Sequence, residues 1–188
     1  TSAQVKAGTD SNDTAVATGF SGNVELLANV ENMLTASNLT SQTNYDVYFV
    51  AEDSLMNLQA SPIKLDVLTS DVTAPSWITT YPKVNAIAAT TVTFAVEINE
   101  NGTGYFVVVP NNAVAPSSVQ VKAGQNSSNV AVANGFSGNV SLLANVQNIL
   151  TASNLISQTN YDVYFVAEDS LNNLQASPVK LDVLTSDI

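Results

Sequence analysis

The chain has 188 residues, 16 acidic and five basic, and a formal net charge of −11. That balance excludes nucleic acid as a partner, because neutralising phosphates needs a surplus of cations. The absence of His and Cys removes the standard zinc ligands and the usual nucleophile–base pairs. A hydrophobic fraction of 45% supplies a packed core, and no run approaches the roughly 18 apolar residues of a membrane span, which argues against membrane insertion.

Residues 2–71 recur at 118–187 without a gap, and about 57 of the 70 aligned positions are identical. The repeat defines a domain-sized module. Residues 72–188 read as one complete module and residues 1–71 as the C-terminal part of another. The first segment is expected to lack the counterparts of 72–116, the opening part of the module. A partial module exposes its core face and its backbone edges. Something is therefore expected to complete 1–71: a neighbouring copy of the module, in cis or in trans.

Within the complete module, Val92, Phe94, Val96 and Ile98 alternate with Thr91, Thr93, Ala95 and Glu97, the period of a half-buried strand. A turn at Asn99–Gly102 leads to a second strand over Tyr105–Val109, closed by Pro110-Asn111-Asn112. Ser117 or Ser118 before VQVKA, with Gly124 after it, brackets a short helical turn. Val130–Val132 and Val140–Leu143 read as short edge pieces, and Asn148–Leu155 as a further strand. Tyr161, Val163, Phe165 and Ala167 alternate along the next strand, and Val179, Leu181 and Val183 along the last. Around seven short strands separated by turns predict an all-β antiparallel sandwich. Phe94, Val96, Val107, Tyr161, Val163 and Phe165 are expected to point inward.

Leu155-x5-Tyr161-x-Val163-x-Phe165-x-Ala167 resembles the strand E to strand F segment of fibronectin type III domains, with Leu39 and Tyr45 repeating the spacing. In that family the Tyr hydrogen-bonds to upstream backbone. Ala167-Glu168-Asp169-Ser170-x3-Leu174 with Ser177-Pro178 resembles the F–G hairpin and the start of strand G. Two departures stand out. The only Trp, Trp77, follows Pro75 at the start of strand A rather than lying in strand B, and SSVQVKAG puts a helical turn where an edge strand usually runs. The chain looks closest to the type III-like repeats that occur in tandem in very large bacterial surface proteins. That resemblance implies an extracellular or cell-surface location and a structural role in a fibre, filament or adhesin stalk, with no shared site to carry over.

The chemistry-bearing candidates are few. Adjacent acids at Glu52-Asp53 and Glu168-Asp169 fit solvated hairpin turns better than a glycosidase pair. For calcium the candidate ligands are Asp71 in the entering linker, Glu100 and Asn101 in the B–C loop, and Glu168 and Asp169 in the F–G loop. These are oxygen donors expected at one pole of the sandwich, though without an EF-hand spelling. Trp77, Tyr81 and Tyr105 are candidates for a glycan platform, against core or inter-domain packing. Asn-x-Ser/Thr occurs at Asn12, Asn38, Asn101, Asn126 and Asn139, as expected in a chain rich in those residues. The copies differ most densely at 9–14 against 125–130, which reads as unconstrained surface. A glycan- or protein-binding module and an accessory spacer of a secreted polysaccharide hydrolase stand as the alternatives.

Overall fold

The computed structural model describes residues 1–188, which divide into two compact units, Thr1–Val72 and Thr73–Ile188. The second unit carries strands β3 (Lys83–Ile87), β4 (Val92–Val96), β5 (Gly102–Pro110), β6 (Ser137–Leu142), β7 (Asn148–Ala152), β8 (Asn160–Asp169) and β9 (Val179–Leu184). They form a three-stranded sheet in the order β3-β4-β7 and a four-stranded sheet in the order β6-β5-β8-β9, with every pairing antiparallel. Three strands facing four is an immunoglobulin/fibronectin type III-like sandwich. Its core lies between the sheets, where Phe94, Val96, Phe106, Leu142, Leu150, Val163 and Phe165 are buried. The Phe94 and Phe165 rings meet edge to face, 5.0 Å apart at their centroids.

Val107 departs from expectation. It is buried, but with Val109, Val121, Tyr164 and Val166 on the outer face of the four-stranded sheet, while Phe106 and Val108 enter the inter-sheet core. A one-residue change of register moves every side chain to the opposite face. Tyr105–Val109 is apolar throughout, so alternation could not fix which set faces inward. The outer face is apolar because helix α2 (Ser118–Lys122) covers part of it through Val121. Ser117 caps α2 by accepting from the Gln120 N–H, and Gly124 (φ 67°) leaves it in the left-handed region, which glycine enters without strain.

Two further strand boundaries differ. Val130–Val132 forms no strand, only an isolated bridge between Gln125 and Ala131. β7 stops at Ala152, because Ser153 N–H turns to Gly135 O and Asn154 takes a left-handed conformation at φ 60°. Trp77 bridges Ile98 ahead of β3 and packs against the main core.

The first unit contains helix α1 (Ser2–Ala7) and one hairpin, β1 (Asn44–Phe49) with β2 (Ile63–Leu68). Its register matches the second unit: Tyr45 faces Val67 as Tyr161 faces Val183. The tyrosine corner is also duplicated. Thr40 N–H donates to Tyr45 Oη at 2.9 Å, and Ile156 N–H to Tyr161 Oη at 3.1 Å. Residues 21–26 and 32–36 nevertheless form no strands, although their counterparts are β6 and β7 with nearly the same sequence. β6 pairs with β5 and β7 with β4, and both partners come from the 73–116 segment. A strand is held by its ladder more than by its intrinsic preference.

Candidate functional site

The acidic residues singled out from the sequence do different things. Asp169 sits at the end of β8 and organises the hairpin that follows. Its Oδ1 accepts from Leu171 N–H and Asn173 N–H, each at 2.8 Å, and its Oδ2 from Asn173 Nδ2 at 2.7 Å. Asp53 makes the same three bonds, to Leu55 N–H, Asn57 N–H and Asn57 Nδ2. Those donors, chiefly the Asn57 side chain, hold the Asp53 carboxyl below its ordinary value.

Glu100 lies in the turn between β4 and β5, and a carboxylate oxygen of it comes within 4.8 Å of one of Asp169. Asn101 faces another task, its Oδ1 accepting from Ala144 N–H at 2.9 Å. Glu168 is buried and turned away into an ion pair with Lys122 on α2, with Tyr105 Oη donating to its other oxygen at 3.4 Å. Asp71 belongs to the first unit, where Ser41 Oγ donates to it at 3.3 Å and Gln42 Nε2 also donates. Within the second unit, then, Glu100 and Asp169 converge, while Asn101 and Glu168 serve the architecture.

Local sequence carries no signal for the Lys122–Glu168 pair. The residues are 46 positions apart and on different elements, so no local spacing joins them. The repeat carries the available signal: Lys6 and Glu52 stand at the same places and pair at 2.5 Å. A second duplicated network joins Lys180 to buried Asp162 at 3.0 Å and to Asp182 at 2.9 Å, as Lys64 joins Asp46 and Asp66. Lys180 is raised above its ordinary value by Asp182 first and Asp162 second, and Asp182 is lowered by Lys180. Burial of Glu168 raises the stakes of its own pair, since an unpaired charge there would be strongly unfavourable.

The aromatic candidates do not assemble into a platform. Trp77 packs on the inter-sheet core and Tyr105 on the outer cluster. Tyr81 donates to Gln147 Oε1 at 2.8 Å, and Lys83 Nζ stands 4.4 Å from its ring centre.

The variable loop is more constrained than its sequence suggests. Asp10 Oδ1 accepts from Asn12 and Thr14 N–H, and Asn126 Oδ1 accepts from Ser128 and Val130 N–H in the same geometry. Asp13 and Asn129 both accept from the glutamine of the helix, Gln4 or Gln120, at 2.9 and 2.8 Å. Each exchange of Asp for Asn keeps the acceptor oxygen. The two Asp-to-Asn differences between 9–14 and 125–130 therefore alter charge and keep these bonds, while Thr9 Oγ1 also donates to Gln4 O at 3.3 Å, a bond that Gln125 does not repeat.

No family model matches the chain, and no curated protein matches it. No helix is long and apolar enough to cross a membrane. Among solved structures, the chain is similar to domains d3–d4 of the rat CD45 extracellular region. That match has 15% identity and a TM-score of 0.48, covering 88% of this chain and 76% of that one. It is also similar to a computationally redesigned β-sandwich protein at 18% identity and a TM-score of 0.35, covering 62% of this chain and 92% of that one.

Proposed function

We propose that this chain is a non-catalytic structural module of an extracellular array, a spacer in a fibre or adhesin stalk. One observation carries the reading: the polar and charged side chains that a site would need are spent on shaping the module, in the same way in both copies. Asp53 and Asp169 fold their hairpins, Glu52 and Glu168 hold their helices, and Asp10 and Asn126 close their loops. Substitutions that preserve such bonds suit a unit whose shape and length matter. An antibody raised against the chain should decorate intact source cells, and surface proteolysis should remove the signal. Labelling only after permeabilisation would overturn the reading. Saturable binding of the chain on a glycan array would favour the binding-module alternative.

Calcium belongs to the same proposal, favoured by the approach of Glu100 to Asp169, whose carboxylate keeps one acceptor site beyond its three hairpin bonds. An ion bound at Ca–O distances of about 2.3–2.6 Å can bridge two oxygens at that separation. Calcium at millimolar concentration should raise the melting temperature of the second unit saturably, and Glu100→Gln should abolish the rise. The same titration on Asp71→Asn reads whether the linker carboxylate takes part. An unchanged melting temperature in the unsubstituted chain removes calcium from the proposal.

A further inference from the structure

The two units offer an internal control, because each apolar residue of the first has a counterpart in nearly the same sequence of the second. Leu26 is 60% exposed and Leu142 2%; Leu34 is 47% and Leu150 3%; Phe49 is 37% and Phe165 0%; Val67 is 40% and Val183 4%. The cover in the second unit comes from one continuous segment. Leu150 pairs with Phe94 of β4, Phe165 with Phe106 of β5, and Leu142 with Gly102 of β5. That segment also gives β8 its second neighbour, whereas β1 pairs on one side only, with β2. The first unit therefore presents an apolar face, an unpaired strand edge, and two stretches, 21–26 and 32–36, whose strand form depends on ladders it lacks.

We propose that the first unit is the acceptor half of a split sandwich, and that its open face takes a donor segment with the sequence of residues 73–116 not already seated on its own C-terminal half. The donor's fit is demonstrated inside this chain, where that sequence covers a face differing at few positions. Strand addition of this kind takes affinity from main-chain bonds and specificity from alternate side chains. Phe94 and Phe106 would fill the space beside Phe49 as they do beside Phe165, with centroid distances of 5.0 and 6.3 Å in the second unit.

An intact second copy is a poor donor. Lending its 73–116 segment uncovers its own 117–188, so the number of open faces stays the same and nothing offsets the entropy of association. The donor must have no C-terminal half of its own to cover. The proposal deepens the array reading by naming the contact through which half-modules join, yet its test is a solution measurement that surface labelling does not touch.

The test is amide exchange on the full chain, alone and with a peptide of residues 73–116, and on a chain in which a second 73–116 precedes Thr1 in the order that Pro116 precedes Ser117. Both additions should slow the amides of Val47, Phe49 and residues 21–26 at least tenfold, toward the rates of Val163, Phe165 and residues 137–142. Phe94→Asp in the added segment should cancel the effect. Fast exchange of the first unit in the fused chain overturns the proposal, since there the donor cannot fail to be present. Equal protection by the Phe94→Asp segment overturns its specificity. Slow exchange in the chain alone also overturns it, as a face already covered, by a second copy if the mass is dimeric and by the unit itself if it is monomeric.

Discussion

Met56 and Asn172 occupy the same place in the two hairpins, and both sit at positive φ, 66° and 67°. Asn visits that region with little strain, whereas an ordinary side chain there costs about 1–2 kcal/mol. Met56→Asn should therefore stabilise the first unit by about 1 kcal/mol once a second 73–116 segment fused before Thr1 completes it, and Asn172→Met should destabilise the second by a similar amount, read from urea unfolding. Part of the candidate site was legible at this scale. The resemblance to a type III sandwich implies that the loops of Glu100 and Asp169 share one pole, and a carboxylate oxygen of each lies within 4.8 Å of the other. Alternation along β8 placed Glu168 on the outer face, but its partner was not legible, because Lys122 lies 46 residues away on another element.

The strand pair β1 and β8 shows how far one local sequence can be read. Tyr45–Asp53 and Tyr161–Asp169 are identical, yet β1 ends at Phe49 and β8 runs on to Asp169, because β5 pairs with β8 from Tyr161 through Asp169. Phe165→Ala should cost the second unit about 3–5 kcal/mol, the usual range for emptying a core aromatic site. Phe49→Ala, at an exposed position, should stay within about 0.5 kcal/mol. Amide exchange resolved by unit measures both. Alternation made β4 and β8 legible from sequence. It could not settle β5, whose two faces are both covered, nor foresee that the β6 and β7 sequences lose strand form without their partners.

For the molecule as a whole, the titrating groups set a wide plateau of stability. Asp182 is held below its ordinary 3.8 by Lys180, and Asp53 by Asn57. A depressed carboxyl adds stability above its unfolded value and loses it as pH falls through the folded one. Lys180 is raised by Asp182 and Asp162, and Lys122 by Glu168, so their contribution is complete below the ordinary 10.5 and is lost only as pH rises beyond it. The chain has no His to titrate between pH 5 and 8. The melting temperature should be nearly flat from about pH 5 to 9 and fall below about pH 4 and above about pH 10.5. Asp182→Asn should blunt the acid limb, as calorimetry across pH would show. A step near neutrality would contradict this account.

The paired Asp and Asn of the variable loop bear on how such a chain ages. Asn is among the chemically labile residues. Hydrolysis of the Asn126 amide to a carboxylate produces the side chain that already stands at position 10, and the same holds for Asn129 and position 13. The oxygen that accepts from Ser128 and Val130 survives the reaction. Direct hydrolysis would thus make the loop more acidic and keep its turn, as Asp10 and Asp13 keep it in the first unit, whereas the cyclic-imide route to isoaspartate would add a methylene to the backbone and break it.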